Sequence, residues 1–241
     1  MPVSSRTDLR TRITETAAAM LREQGPAAVT TRGVAEAAGV QAPTIYRLFG
    51  HKDGLLEAVA EHAMAAQVAG KARTDAAAQQ AGLDPVDELR RGWRSQIAFG
   101  LANPAVFRLL SDPDRVRDSA AARAGRDVLV GRVHRAALAG RLRVGEGLAA
   151  DLLQSAGIGV IQTLLSQPPD RRDPDLPEAA LEAVLAQVLV PVAGGARHDP
   201  VVAAAVTLRA AAPGLAGLTG AERLLLAEWA DRVVDGAGTD S

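Results

Sequence analysis

Residues 30–59 read TTRGVAEAAGVQAPTIYRLFGHKDGLLEAV and contain two short helical patterns on either side of a glycine. Thr30 is a favourable cap for a helix predicted from Thr31 to Ala38. Gly39 permits the positive φ of a tight turn, and a second helix is predicted from Ala42 to Phe49. Two short helices joined by a tight glycine turn form a helix-turn-helix, so this stretch predicts the architecture of the N-terminal region.

The charge of the chain is unevenly distributed. The net charge is −1, but residues 1–52 carry seven basic and four acidic side chains, which gives +3 and leaves −4 for the rest. A basic N-terminal region indicates an anionic partner at that end of the molecule. The chain has no cysteine and four scattered histidines, so we predict no disulfide, no zinc finger and no metal site.

Helix signals dominate the remainder of the chain, and long alternating apolar and polar runs are missing from the sequence. We therefore predict an all-α fold with a three-helix domain that contains the helix-turn-helix at residues 1–52, a linking helix at 53–80 and a larger helical domain at 81–241. The predicted helices outside the helix-turn-helix are Asp8–Gln24, Lys52 to about Gln80, Val86–Leu101, Pro104–Leu110, Arg115–Ala139, Glu146–Ser166, Glu178–Val192, Pro200–Ala212 and Ala221–Val234.

The second helix of a helix-turn-helix lies in the major groove with its first residues nearest the bases. Gln41, Ala42 and Thr44 occupy that position and offer an amide, a methyl group and a hydroxyl for base edges. Tyr46 and Arg47 project outward, where a phenol and a guanidinium can bind phosphates. Ile45, Phe49, Val34 and Val40 are predicted to be core residues.

The stretch from about Arg12 to Val59 resembles the DNA-binding domain of the tetracycline-repressor (TetR) family. The resemblance rests on the lead-in ITETAAAMLREQGPAAVTT, the turn AEAAGV, the T-x-Y-x-x-F pattern of the second helix and F-x-x-K-x-x-L-L at the start of the fourth. It implies a palindromic double-stranded DNA operator as the partner. The DNA contacts implied by position are Thr30, Thr31, Arg32, Gln41, Ala42, Pro43, Thr44, Tyr46, Arg47 and Lys52.

Three residues depart from the family's pattern. Gly33 and Gly54 replace better helix formers in the first turns of two helices, and each is expected to cost up to about 1 kcal/mol relative to Ala. His51 lies where a Ser or Asn cap is common, so we expect that the start of the fourth helix lacks its usual cap.

The region after residue 80 resembles the family less closely, apart from GWRSQIAFGLANPAVFRLLSDP, which is similar to a helix-to-helix passage found in such regulators. The family implies that residues 1–52 are a DNA-binding domain and that residues 81–241 are an effector-binding and dimerisation domain with a cavity for a small molecule. For each candidate residue taken singly, packing in an ordinary core is the favoured alternative. The candidate effector-binding residues are Trp93, Gln96, Ile97, Phe107, Val130, His134, Leu153 and Gln154.

Two helices near the end of the predicted effector domain favour a homodimer. AADLLQSAGIGVIQTLL combines small residues (Ala149, Ala156, Gly157, Gly159) with Leu and Ile, and EAALEAVLAQVLVPV carries a stripe of Leu181, Val184, Leu185 and Val188. In the family two such helices per subunit form a four-helix bundle across a two-fold axis. The alternative is a core within one chain. The sequence after Gly195 extends beyond the family's usual end, and its last helix carries Leu224, Leu225, Leu226 and Trp229. These residues are expected to pack within the domain or to extend the dimer, and a partner-binding helix is the less favoured alternative.

Taken together, these features predict a cytoplasmic, sequence-specific transcriptional regulator, a repressor released by its effector, with no cofactor and no catalytic residue. The apolar stretches are expected to be too short to span a membrane. Two alternatives are a helical interaction module that binds no effector and an all-α enzyme, for which the sequence offers no nucleophile motif or phosphate-binding loop.

Overall fold

The computed structural model describes residues 3–25, 27–65, 82–117, 119–191 and 200–236. These residues form helices and connecting turns with no strand among them, which confirms the predicted all-α fold. The helices are α1 (Val3–Gln24), α2 (Thr31–Ala37), α3 (Ala42–Phe49), α4 (helical over 52–65), α5 (Pro85–Ala102), α6 (Pro104–Leu110), α7 (Pro113–Val116), α8 (Ala120–Leu138), α9 (Glu146–Leu165), α10 (Leu176–Val188), α11 (Pro200–Ala211) and α12 (Gly220–Gly236).

Helices α3 and α6 have the predicted bounds, and α1 begins five residues earlier than predicted. The predicted continuation of α4 toward Gln80 lies outside the described residues.

The predicted helix Arg115–Ala139 is wrong, because the chain forms two helices there. Asp112 Oδ1 accepts a hydrogen bond from the backbone N–H of Asp114 at 3.0 Å at the start of α7. Ser119 Oγ accepts one from the N–H of Ala122 at 3.3 Å at the start of α8. Each side chain satisfies an N–H that would otherwise lack a partner, which favours a new helix start over continuation.

Helix α10 ends at Val188, four residues before the predicted end. Leu189 is extended and forms an isolated antiparallel bridge with Leu142. Val190 donates its backbone N–H to the carbonyl of Arg141 at 2.9 Å. Backbone pairing with the loop after α8 therefore replaces the last helical turn.

The described residues separate into two compact units. The first contains α1–α4 with residues 99–126. The second contains residues 82–98, 127–191 and 200–236.

A single hydrophobic core unites α1–α4 of the first unit, and Val106 of α6 belongs to it. The buried members are Ile13, Ala17, Leu21, Val29, Val34, Ala35, Ile45, Phe49, Leu55, Ala58, Val59, Ala60 and Val106.

Helices α9 and α10 pack side by side in the second unit. Leu181, Leu185 and Val188 of α10 are buried within one chain, as are Ala149 and Gly157 of α9. Because these five residues are already covered, they cannot serve the dimer contact predicted for them. The exposed face of α9 instead presents Leu148, Leu152, Ser155 and Gly159.

By length and composition, α9 is also the one described helix that could cross a membrane, since it has 20 residues and contains an 18-residue window with a mean hydropathy of 1.4. The expectation that every apolar stretch is too short is therefore wrong for α9. Seven of its residues are nevertheless buried against the rest of the chain, as in the core helix of a folded domain.

The last two helices form a hairpin, with α11 packed along α12. Thr219 and Glu222 form a capping box in which the Thr219 N–H donates to Glu222 Oε2 at 2.7 Å and the Glu222 N–H donates to Thr219 Oγ1 at 3.3 Å. Leu224 and Trp229 remain 75% and 53% exposed. The expectation that they pack within the domain is wrong, while contact with a second copy stays a prediction.

Candidate nucleic-acid interface

The turn between α2 and α3 has the predicted geometry. Thr30 Oγ1 accepts a hydrogen bond from the N–H of Gly33 at 3.0 Å and so caps α2. Gly39 has φ +67°, and the N–H of Val40 donates to the carbonyl of Ala35 at 2.9 Å. These bonds fix the direction in which α3 leaves the turn.

Helix α3 is held from inside by Ile45 and Phe49, both buried as predicted. Phe49 has a further contact that sequence reasoning missed, because the guanidinium carbon of Arg10 lies 5.0 Å from the centre of its ring. A cation over an aromatic face is attracted by the ring's negative face. Arg10 is exposed on α1, and this contact joins α1 to the end of α3.

The junction between α3 and α4 explains two of the departures from the family's pattern. His51 does provide a cap, since its Nδ1 accepts a hydrogen bond from the N–H of Gly54 at 3.1 Å. The expectation of a missing cap is therefore wrong. A Cβ atom at position 54 would lie 2.1 Å from the carbonyl oxygen of Phe49, so the close approach of the two helices requires glycine. In the sequence, the signal of this close approach is a glycine in the first turn of a helix, where a better helix former is expected.

The ten residues predicted to contact DNA are defined here as the α2–α3 face. Each of them is exposed or partly exposed and none is buried. The structure brings Thr31 and Tyr46 together across the two helices, with 3.3 Å between their hydroxyl oxygens. Tyr46 is 53% exposed. The hydroxyl of Tyr46 can therefore also contact a partner outside the chain.

The cationic groups of the α2–α3 face have no protein partner among the described residues. No hydrogen bond or ion pair joins the side chains of Arg32, Arg47 or Lys52 to any part of the chain that the structure describes. Gln41 precedes α3 with extended backbone, and its carboxamide makes no capping bond. Three free cations and a free amide on one face can together bind an anionic polymer with polar edges.

The candidate effector residues lie in different surroundings. Trp93 is buried, and its indole N–H donates to the carbonyl of Pro177 at 2.9 Å. A methyl group added at Gly157 would lie 3.0 Å from Gln96 Nε2 and 3.5 Å from a ring carbon of Trp93. These side chains thus pack against the backbone of α9. Ile97, Leu153 and Phe107 are buried, Gln154 is partly exposed and Val130 is exposed. Phe107 belongs to the first unit and the other seven to the second.

His134 Nδ1 lies 3.1 Å from Glu146 Oε2 and so has a polar partner at the start of α9. Nearby in the second unit, Arg135 Nε donates to Glu88 Oε2 at 2.8 Å, and Glu88 is 3% exposed. Glu88 of α5 and both His134 and Arg135 of α8 are therefore used in structural pairs. Within the described ranges no group of three or more His, Cys, Asp or Glu side chains is arranged to hold a metal ion.

The N-terminal region matches a known family of proteins. Residues 13–59 match the family model described as bacterial regulatory proteins, tetR family. No curated protein matches the chain. The matched segment contains all ten residues of the α2–α3 face.

Solved structures share the fold at low sequence identity. The Thermus thermophilus FadR, a TetR-family transcriptional repressor in complex with lauroyl-CoA, is 22% identical with a TM-score of 0.60, covering 78% of this chain and 99% of its own. A Rhodococcus protein of unknown function is 22% identical with a TM-score of 0.59, covering 76% and 96%. The multidrug binding protein EbrR, complexed with imidazole, is 19% identical with a TM-score of 0.54, covering 76% and 97%. At these identities the likeness to the solved structures shows the fold, and the family match shows that the N-terminal region, residues 13–59, is similar to that of bacterial regulatory proteins of the tetR family.

Proposed function

We propose that this protein is a homodimeric transcriptional repressor that binds a palindromic DNA operator and releases it when a small-molecule effector binds. The observation that carries the proposal is the α2–α3 face, where Arg32, Arg47 and Lys52 are exposed and have no partner among the described residues, on a helix-turn-helix held by a buried core. A cation without an internal partner, held on a fixed backbone, is suited to a phosphate in a fixed register.

Each part of the face has a distinct role in this proposal. Gln41, Ala42 and Thr44 read base edges in the major groove, as first residues of a recognition helix do. Arg32, Pro43 and Thr30 flank them and set the register.

Tyr46 and Thr31 hold one phosphate through their paired hydroxyls, and Arg47 binds another. Lys52 opens α4, where its ammonium group and the first backbone N–H groups of that helix can share a phosphate. The cap from His51 already occupies the N–H of Gly54, so that group is not available to the phosphate.

The dimer is proposed to form through the exposed face of α9. Small residues at Ser155 and Gly159 between Leu148 and Leu152 permit close approach of a second α9 across a two-fold axis. Two-fold symmetry would place two recognition helices on half-sites about 34–36 Å apart. Gly159→Arg should convert the dimer to monomer in sedimentation equilibrium, whereas Gln187→Arg on the exposed side of α10 should leave its mass unchanged.

The effector is proposed to bind among α5, α8 and α9 near Trp93, Gln96 and Gln154. Support comes from the structural relatives, two of which were solved with a small molecule bound, lauroyl-CoA in one and imidazole in the other. An effector that lowers DNA affinity must itself bind more weakly to the DNA complex by the same factor. The variant Trp229→Phe leaves Trp93 as the single tryptophan, so its fluorescence reports effector binding near α5.

The proposal is tested by selecting genomic fragments that the protein binds and mapping the protected sequence. We expect one palindromic site, most simply upstream of the protein's own gene or a neighbouring gene, bound at least about 10³-fold more tightly than a scrambled duplex. Equal affinity for the two duplexes would refute the proposal. A regulator of this kind is expected in the cytoplasm, where the chromosome lies.

A further inference from the structure

The first unit contains a cleft that none of the roles above uses. Its volume is about 300 Å³, and its walls come from the end of α1 and from the turn between α5 and α6. A volume of this size lies at the lower end of the range for small-molecule sites, roughly 300–1,000 Å³. None of the eight candidate effector residues lines it.

The interior of the cleft is apolar. Leu21 and Val106 lie in its lining and are 4% and 3% exposed, so both belong to the packed core beneath it. Ala102 and Ala105 contribute methyl groups to the lining. Such a surface favours a compact hydrocarbon body over a hydrated polar one.

Two arginines complete the lining, Arg22 in the last turn of α1 and Arg108 in the last turn of α6. Both are exposed, and neither has a hydrogen bond or ion pair with any residue that the structure describes. The remaining polar side chain, Asn103, donates its Nδ2 to the carbonyl of Phe99 at 3.0 Å. The guanidinium groups are therefore the donors left for a ligand.

We propose that this cleft is a second small-molecule site, which binds an amphipathic anion consisting of one carboxylate or similar group on a compact apolar body. The anionic group pairs with the two guanidiniums, since planar guanidiniums match the geometry of oxyanions. The apolar body covers Leu21 and Val106. A ligand in this position contacts α1 and the α5–α6 turn at once, and so it links the helix-turn-helix to the helices that follow it.

Binding is tested by titrating the full-length protein with 1-naphthoate in a calorimeter, in the absence of DNA. The double variant Arg22→Gln/Arg108→Gln should weaken binding at least about tenfold, because charge-assisted hydrogen bonds are the strong ones. The uncharged analogue 1-naphthamide, of the same shape, should bind the wild-type protein more weakly by a similar factor. The control Arg123→Gln removes an exposed arginine that does not line the cleft and should change nothing.

A second variant tests the apolar part of the cleft. Ala102 is exposed at the end of α5, so Ala102→Phe should fill the cleft without disturbing the core and should abolish 1-naphthoate binding. Unchanged affinity in either the double variant or Ala102→Phe overturns the proposal. No heat of binding from the wild-type protein at about 1 mM probe also overturns it.

An effect of this ligand on operator affinity rests on the proposed function and is measured in a separate experiment. With operator DNA present, 1-naphthoate should shift the operator affinity of the wild-type protein and leave that of Ala102→Phe unchanged. The proposed function and the proposed cleft site can fail independently. Absence of operator binding by the wild-type protein contradicts the proposed function, whereas the calorimetric result concerns the cleft alone.

Discussion

The α2–α3 face and the polar residues of α5 use their side chains in opposite ways. On the face, Arg47 and Lys52 have no partner in the described parts of the chain, and the backbone that carries them is fixed by a cap, a glycine turn and a buried phenylalanine. On α5, Trp93 and Glu88 are buried and already bonded to α10 and α8. Groups held rigidly and left unpaired are available to an external partner, whereas groups paired internally stabilise the fold.

The largest effect on stability is expected from Glu88→Gln on α5. The substitution keeps the shape of the side chain and removes the charge that pairs with Arg135. Breaking a fully buried ion pair costs about 3–5 kcal/mol. Because the Arg135 side chain is partly exposed and can regain water, we expect about 2–3 kcal/mol in the free energy of unfolding by urea.

The matched control is Glu228→Gln, which breaks an exposed pair with Arg232 on α12. That pair should contribute less than about 1 kcal/mol, as exposed pairs do. Equal losses of unfolding free energy in the two variants would show that the buried Glu88 pair stabilises the protein no more than the exposed Glu228 pair. The difference drawn between internally paired and externally available groups would then be contradicted.

The next effect is expected from Gly54→Ala at the junction of α3 and α4. The added methyl group would overlap the carbonyl of Phe49, so α3 must move relative to α4. Overpacking of this kind costs about 1–3 kcal/mol, and because α3 carries the face, operator affinity should fall as well. Thermal unfolding and fluorescence anisotropy measure the two effects.

Gly147→Ala provides the control, because Gly147 also lies in a first helical turn but has open space around its Cα. It should be neutral or stabilising by up to about 1 kcal/mol, since alanine is the better helix former. Normal operator binding by Gly54→Ala would contradict the role given to the junction.

A smaller effect is expected from Trp93→Phe. The carbonyl of Pro177 loses its donor, which costs about 1 kcal/mol, and the smaller ring adds a modest packing loss. Trp229→Phe changes the same side chain at an exposed position on α12 and should alter the unfolding free energy by no more than about 0.5 kcal/mol. In urea unfolding, Trp93→Phe should have a clearly lower free energy of unfolding than Trp229→Phe. The reverse order would show that the hydrogen bond of Trp93 does not stabilise the fold.

The smallest effect concerns the carboxyl of Asp84 at the start of α5. Its pKa lies below the usual 3.8, first because the N–H of Val86 donates to it and then because Arg141 pairs with it. A lowered pKa in the folded state means that the contribution to stability is complete above the usual pKa and is lost as the pH falls through the lowered value.

An NMR titration of Asp84 tests this account in the wild-type protein and in Arg141→Gln. The variant should raise the pKa of Asp84 but leave it below the usual value, because the N–H of Val86 remains. An unchanged pKa in Arg141→Gln would exclude the ion pair as a cause.

The sequence predicts the helix-turn-helix well because its signals are local. Thr30 caps the helix that follows it, and Gly39 alone explains the turn. The missed features depend on residues that are distant in sequence. Arg10 reaches Phe49 through the fold of the bundle, and α10 ends early because Leu189 pairs with Leu142.

The candidate effector residues show the limit of sequence patterns more clearly. Apolar side chains at helical spacing fit a cavity wall and a packed core equally well. The contacts of Trp93 and Gln96 with α9 and α10 became visible only once Gly157 and Pro177 were placed. By contrast, a charged side chain on a short capped helix is readily predicted to be exposed.

The most direct test of the α2–α3 face is the salt dependence of operator binding, measured by fluorescence anisotropy for the wild-type protein, Arg47→Ala, Lys52→Ala and Arg171→Ala. Arg171 is an exposed arginine of the second unit and controls for the loss of one charge. We expect the slope of log K against log salt to become shallower by about one for Arg47→Ala and for Lys52→Ala, with weaker binding, and to stay unchanged for Arg171→Ala. If all four proteins bind with the same affinity and the same slope, the α2–α3 face does not contact DNA.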